Sequence, residues 1–425
     1  MEEIFIEKIE IKELLNIKDF SIALSDTERK HLIITGKNGS GKTTFLNELK
    51  KYLEATIHER LLQKIQSVNN ELEELYKNNL DLSKIHPAYV ELEANTENER
   101  REKIIIKEIY RLEGLKELYD KKYKVDILFK NSLSITEYFQ KGKCVFSFFG
   151  AKRGNNLNSP SGIKIIDLKP VYKINESAGN NFLQYIVNMK ADRAFANDAN
   201  ETKVVQKIDK WFSHFTDNLF QLLSLDNAKL QFDRKTYNFN IIEENQKTYN
   251  LNQLSDGYSA ILNIITELIM RMEKHHAKAY DIQGIVLIDE IETHLHIELQ
   301  KKILPFLTSF FPKIQFIVTT HSPFVLNSVE NAVICDLEKR IVTTDLSGYS
   351  YDAIVESYFD SDKYSAELKN KISEYEALSE KENLTEDEED RLYFLKRYLK
   401  EIPKFYSEEL AVKLQQIELK NLKKK

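Results

Sequence analysis

Cysteine is scarce in this sequence: Cys144 and Cys335 are the only two. They stand far apart in apolar runs, so a disulfide framework has no support, a reducing compartment is expected, and both thiols are expected in the core. No apolar run approaches the roughly 18 residues that span a bilayer. Met1-Glu2-Glu3-Ile4 lacks the basic start of a secretory signal. A soluble, cytoplasmic protein with no membrane partner is the expectation. Positive charge is not in excess either: 61 Lys and Arg against 67 Asp and Glu give a formal net charge of −6. Composition alone therefore does not predict binding to a phosphate backbone by counterion release. Zinc-finger, HNH, kinase and Ser-His-Asp signatures are also missing.

What is present is a pattern of short apolar runs and long amphipathic ones. Ile4–Ile6, Phe20–Leu24 and His31–Thr35 read as strands, the third running directly into a glycine-rich loop. From Thr44, apolar residues from Leu46 to Leu75 recur at three- and four-residue steps, which predicts one long amphipathic helix. The segment Asp81–Pro87 breaks it, and a second helical stretch, Glu91–Tyr123, returns, so an antiparallel hairpin is expected over 49–123. A strand pair, Val125–Phe129 and Cys144–Phe149, follows. Residues 175–225 read as a helical lobe and Leu230–Ile242 as a hairpin. From 250 to 336 the order is loop, helix, strand, helix, strand, loop, strand, as in one half of an α/β nucleotide-binding sheet. The expected division is a head (1–48 and 124–345), the hairpin insertion (49–123) and a charged helical region (346–425) suited to partner binding.

Four motifs carry chemistry. Gly36-Lys37-Asn38-Gly39-Ser40-Gly41-Lys42-Thr43-Thr44 fits G-x-x-x-x-G-K-[ST] between a strand and a helix. There glycines let backbone N–H groups surround phosphates, Lys42 supplies an ammonium, and Thr43 offers a hydroxyl to Mg²⁺. Gly284–Glu290 is a buried strand ending in two carboxylates, which suits Asp289 to Mg²⁺ and Glu290 to an attacking water. Ile317–Ser322 is another apolar strand, and it brings His321 to the same sheet edge. Leu254–Ala260 precedes a helix, with Ser255 fit to cap it and Gly257 to bring backbone close to an anion. His294 and His296, two residues apart with no evident third ligand, read as subunit-contact residues in preference to a metal site.

In this order the motifs resemble the ABC ATPase family, and within it the SMC-like and OLD-like AAA-type branch. The fold implied is α/β: an ABC-type P-loop nucleotide-binding domain with an inserted antiparallel helical hairpin and a helical C-terminal tail. The resemblance implies ATP and Mg²⁺ as cofactors and a composite site. ATP would lie on Gly36, Asn38, Gly39, Ser40, Gly41, Lys42, Thr43 and Thr44 of one subunit and be closed by Ser255 and Gly257 of another. Glu290 would be the catalytic base, His321 the switch residue, and Thr43 with Asp289 the Mg²⁺ ligands. The sequence departs from the family at Asp256, where the signature carries glycine, and at Ile291, where the OLD-like run carries proline. No Q-loop glutamine is evident, and Phe148–Arg153 stands where OLD-like ATPases carry an aromatic and arginine element, which puts Arg153 near the nucleotide.

A compact ATPase with no nuclease of its own resembles the ATPase subunits of the Septu and PARIS anti-phage systems. The resemblance implies a homodimer or higher homo-oligomer that restrains a separately encoded nuclease. The alternative is a DNA-repair ATPase similar to RecF and SMC proteins that clamps DNA, supported by Lys152-Arg153 and the Lys-rich Lys420–Lys425. A transporter subunit is disfavoured, because the hairpin interrupts the sheet directly after the P-loop.

Overall fold

The described strands form two three-stranded antiparallel sheets and a larger, mostly parallel one. The computed structural model describes residues 2–77, 96–154, 157–225, 227–244, 247–274, 281–344, 346, 348–349, 351–354, 366–381 and 384–401. The chain separates into two units, Met1–Tyr349 and Ser350–Lys425.

In the first unit, β1 (Ile6–Leu14) and β2 (Ile17–Ala23) form a hairpin with Ile9 opposite Ile22. β3 (His31–Thr35) is buried at every position, the mark of a strand covered on both faces. It leads into α1 (Lys42–His58), whose Phe45, Leu46, Leu49 and Leu53 enter the main core. The long helix expected from Thr44 is in fact two. Arg60 takes a left-handed φ of 55°, which an α-helix of L-residues does not accommodate, and α2 (Leu61–Lys77) starts after it.

The turn expected at 81–87 lies outside the described residues. α3 (Glu97–Lys122) opens with a capping box in which the Thr96 hydroxyl accepts from the Glu99 N–H at 3.2 Å and the Glu99 carboxylate accepts from the Thr96 N–H. α2 and α3 meet through Val68, Leu72, Ile109 and Leu112. Each such burial is worth about 1.5–3 kcal/mol, so this apolar seam holds the arm together.

β4 (Val125–Phe129) is antiparallel to β1. A short α4 (Ile135–Gln140) and then β5 (Cys144–Phe149) follow. The strand pair expected here is not a pair, since β4 and β5 belong to different sheets. The helical lobe is α5 (Phe182–Asp198) and α6 (Thr202–Leu223), the latter burying Phe212, Phe215, Leu219 and Phe220. β6 (Lys229–Asp233), β7 (Asn238–Ile242) and β8 (Thr248–Asn250) form a small antiparallel sheet.

The rest completes the main sheet: α7 (Asp256–Glu273), β9 (Gln283–Ile288), α8 (Ile297–Phe310), β10 (Ile314–Thr319), α9 (Pro323–Leu326), β11 (Ala332–Asp336) and β12 (Ile341–Thr344). Its strand order is β12-β11-β3-β10-β9-β5, parallel except for the edge strand β12. Two buried amides join the N-terminal segment to this sheet. Gln283 Oε1 accepts from the Ile4 N–H at 2.9 Å, and Gln315 both accepts from the Ile6 N–H at 2.7 Å and donates to its carbonyl at 3.0 Å. Cys144 and Cys335 are free and buried in this core. Burial pushes the Cys144 thiol up to about 12. No described helix is long and apolar enough to cross a membrane.

The second unit holds α10 (Ala366–Glu380) and α11 (Glu386–Glu401), packed through Ile372, Tyr375, Leu395 and Leu399. Its acidic run forms the first turn of α11, where Thr385 and Glu388 make reciprocal capping bonds. Carboxylates there oppose the positive end of the helix dipole.

Candidate nucleotide site

Because β3, β9, β10 and β5 are parallel and adjacent, the residues that follow them emerge on one edge. After β3 the chain turns through Gly36, Gly39 and Gly41, whose φ angles are 133°, 85° and 96°. At Gly41 a Cβ would meet only the far end of the exposed Leu15 side chain, at 2.8 Å, so it is the conformation that demands glycine. Asn38, Gly39, Thr43 and Thr44 face solvent, and the buried Ser40 Oγ has no partner among the described residues. Lys42 lies back across the loop, Nζ donating to the carbonyls of Gly36 at 2.8 Å and Lys37 at 3.0 Å.

The carboxylates stand opposite. Thr43 Oγ1 donates to Asp289 Oδ2 at 3.0 Å, and Thr319 Oγ1 donates to Asp289 Oδ1 at 2.7 Å. The Thr319 hydroxyl also accepts from the Glu290 N–H at 2.7 Å. Glu290 itself takes a left-handed φ of 46°, a conformation costing roughly 1–2 kcal/mol for an L-residue. Glu292 Oε1 accepts from the His321 N–H at 2.5 Å, and Thr293 Oγ1 donates to Glu290 Oε2 at 3.2 Å. Thr319, Glu292 and Thr293 were not singled out in the sequence. For Thr319 the available signal is the doubled threonine of Val318-Thr319-Thr320-His321, hydroxyls at the end of an apolar strand.

Arg153, Ser255 and Gly257 have neighbours within the chain that the sequence does not show. Arg153, expected near the nucleotide, is bonded to the backbone that carries the site carboxylates. Nη1 donates to the carbonyls of Asp289 at 2.6 Å and Gly150 at 3.1 Å, and Nη2 to those of Glu290 at 2.8 Å and Ile291 at 3.3 Å. Ser255 is the N-cap residue of α7, but its side chain makes no capping bond; its carbonyl accepts from the Ser259 N–H. Gly257 is buried, and a Cβ on it would lie 2.6 Å from the carbonyl oxygen of His294. Its smallness answers a contact within the same chain.

Residues 32–327 match the family described as "AAA domain, putative AbiEii toxin, Type IV TA system". The chain belongs to this AAA family. Over 117 residues this AAA-family chain is 40% identical to the Septu protein PtuA of Bacillus mycoides (strain KBAB4), a stretch covering 26% of the chain and 16% of that protein. It is 24% identical over 377 residues to the Retron Vc95 probable ATPase of Vibrio cholerae serotype O1 biovar El Tor, covering 74% of the chain and 70% of that protein. A second Septu protein PtuA, from Bacillus thuringiensis, is 34% identical over 141 residues, 32% of the chain and 34% of that protein. Among solved structures, the SMC head domain from Thermotoga maritima aligns over 80% of the chain and 97% of that domain, with 14% identity and a TM-score of 0.35.

In this AAA-family site the charges are unevenly solvated. Burial draws the Lys42 ammonium below its ordinary value, against the pull of Glu290, Glu292, Asp289 and Asp336. Burial lowers the Arg153 guanidinium to about 10. Burial, followed by the Lys42 charge, lowers His321 and favours its neutral ring. The donors suit a hard cation: a hydroxyl and a carboxylate oxygen side by side are the ligand types Mg²⁺ takes, with water and phosphate completing its shell.

Proposed function

We propose that the protein binds and hydrolyses ATP, assembles through its nucleotide sites as a homodimer or larger homo-oligomer, and thereby controls a separately encoded nuclease in anti-phage defence. The observation that carries the catalytic part is the pairing of Thr43 with Asp289 across the sheet edge, with Lys42 and Glu290 beside it. Lys42 would give up its bonds to the Gly36 and Lys37 carbonyls to meet the β and γ phosphates, and Ser40, Thr43 and Thr44 would line them. Thr43 and Asp289 would hold Mg²⁺, which neutralises charge developing on the phosphates. Glu290 would accept the proton of the attacking water, and the neutral His321 would donate to the γ-phosphate. Exposed Ser255 at the start of α7 would close the site of a second copy. Gly257, packed on His294, would set the place of that helix end.

The defence reading draws on the family and on the PtuA and retron ATPase likenesses, and the region 346–425, which contains α10 and α11, is proposed to meet the partner. The competing DNA-clamping reading is weakened at one point, because Arg153 Nη1 and Nη2 are bonded to carbonyls, although Lys152 beside it is exposed; Lys420–Lys425 lies outside the described residues. Co-expression with the product of the neighbouring gene tests the proposal. A stable complex, phosphate release by the wild type, and an enlarged ATP-bound assembly with Glu290→Gln are expected. No complex, together with salt-sensitive ATP-dependent DNA binding, would favour the alternative.

A further inference from the structure

The turn carrying Glu290 is strained, and something must hold it. Glu290 sits at φ 46°, His294 four residues on at 65°, and a single buried guanidinium faces the carbonyls of Asp289, Glu290 and Ile291 in succession. On the opposite side, Thr319 takes the Glu290 N–H with its hydroxyl and the Ile291 N–H with its carbonyl at 3.1 Å. We propose that Arg153 is a positioning residue which, against Thr319, fixes the left-handed turn and so aims the Glu290 carboxylate.

Arginine suits this task because a planar fork of donors can serve several carbonyls at once, whereas an ammonium acts as a point charge. The charge is costly to bury, and the nearby carboxylates of Glu292, Asp289 and Glu290 offset part of that cost. Its loop is fixed from a second direction: Asn263, on α7, donates to the Gly154 carbonyl at 3.3 Å. The helix whose exposed end carries Ser255 is thus bonded next to the residue that sets Glu290. Arg153 also lines a polar cavity of about 260 Å³ shared with Asn263 and Arg271.

This inference rests on the ATP-site reading only for the role of Glu290; the backbone part is measurable without turnover. In Arg153→Ala, hydrogen exchange at the amides of Glu290 to Thr293 should quicken by about tenfold or more, with the peptide spanning 36–44 unchanged. Turnover should fall about 10- to 100-fold, as for other supporting-shell losses. ATP affinity should stay near wild type, and millimolar guanidinium, but not ammonium, should restore rate. Arg153→Lys keeps the charge and guards against misfolding of the alanine variant; it should show the same pattern in weaker form. Unchanged exchange at 290–293, or lost ATP affinity with unchanged turnover, would overturn the proposal. A wild type without turnover whose variants still show the exchange change would sink the ATPase reading and leave the backbone assignment standing.

Discussion

The α-carbon of Gly257 and the carbonyl oxygen of His294 are so close that a methyl group on Gly257 would lie 2.6 Å from that oxygen. The helix end bearing Ser255 and the loop following Glu290 are therefore in backbone contact. Gly257→Ala must displace backbone, because the atom met is a backbone carbonyl oxygen and not the end of a movable side chain. A loss of about 1–3 kcal/mol in stability is expected, the range for overpacking, measured by urea denaturation. An alanine variant as stable as wild type that merely fails to assemble would restore the anion-approach reading of this glycine.

Thr319→Val keeps the shape and removes the hydroxyl, leaving the Glu290 N–H and Asp289 Oδ1 without that partner. The Mg²⁺ concentration for half-maximal phosphate release should rise about 10- to 100-fold. A magnesium titration of the two proteins side by side decides this.

Lys42→Ala removes the ammonium held by Gly36 and Lys37. A charge-assisted hydrogen bond contributes about 1.5–3 kcal/mol, so ATP affinity should weaken at least about tenfold. Calorimetric titration with ATP provides the check, and retained affinity would remove Lys42 from the site.

His31 supplies an acid-sensitive element of stability. Burial, helped by Arg29, holds its imidazole down to about 4, while its Nδ1 accepts from the Phe316 N–H at 3.1 Å. The unfolded chain binds this proton below about 6.5 and the folded one only near 4, so the stabilisation is complete above 6.5 and is lost as pH falls toward 4. The full effect approaches about 3 kcal/mol. His31→Asn should flatten the fall in melting temperature between pH 6.5 and 4 relative to wild type; parallel profiles would exclude His31 as its source.

Much of the main sheet was legible because parallel strands covered on both faces announce themselves as apolar runs: His31–Thr35 matches β3 in both bounds. The chemistry at the strand ends could be read for the same reason, since Asp289, Glu290 and His321 follow such runs directly. Three things could not be read. Pairing partners were hidden, so Val125–Phe129 was grouped with Cys144–Phe149 although β1 claims it. The break at Arg60 was hidden because its apolar neighbours keep helical spacing across it. The place of Arg153 was hidden too, since a guanidinium facing carbonyls 136 to 138 residues away leaves no local pattern.

The strand order has a consequence for biosynthesis. β3, which delivers the P-loop, is flanked by β10 and β11, and His31 finds its backbone partner Phe316 285 residues downstream. At about 5–20 residues per second, a ribosome needs roughly 15–60 s to supply that stretch. The loop that follows β3 waits through that interval for its neighbours, so a nascent chain acquires its phosphate cradle only after β10 and β11 have been made.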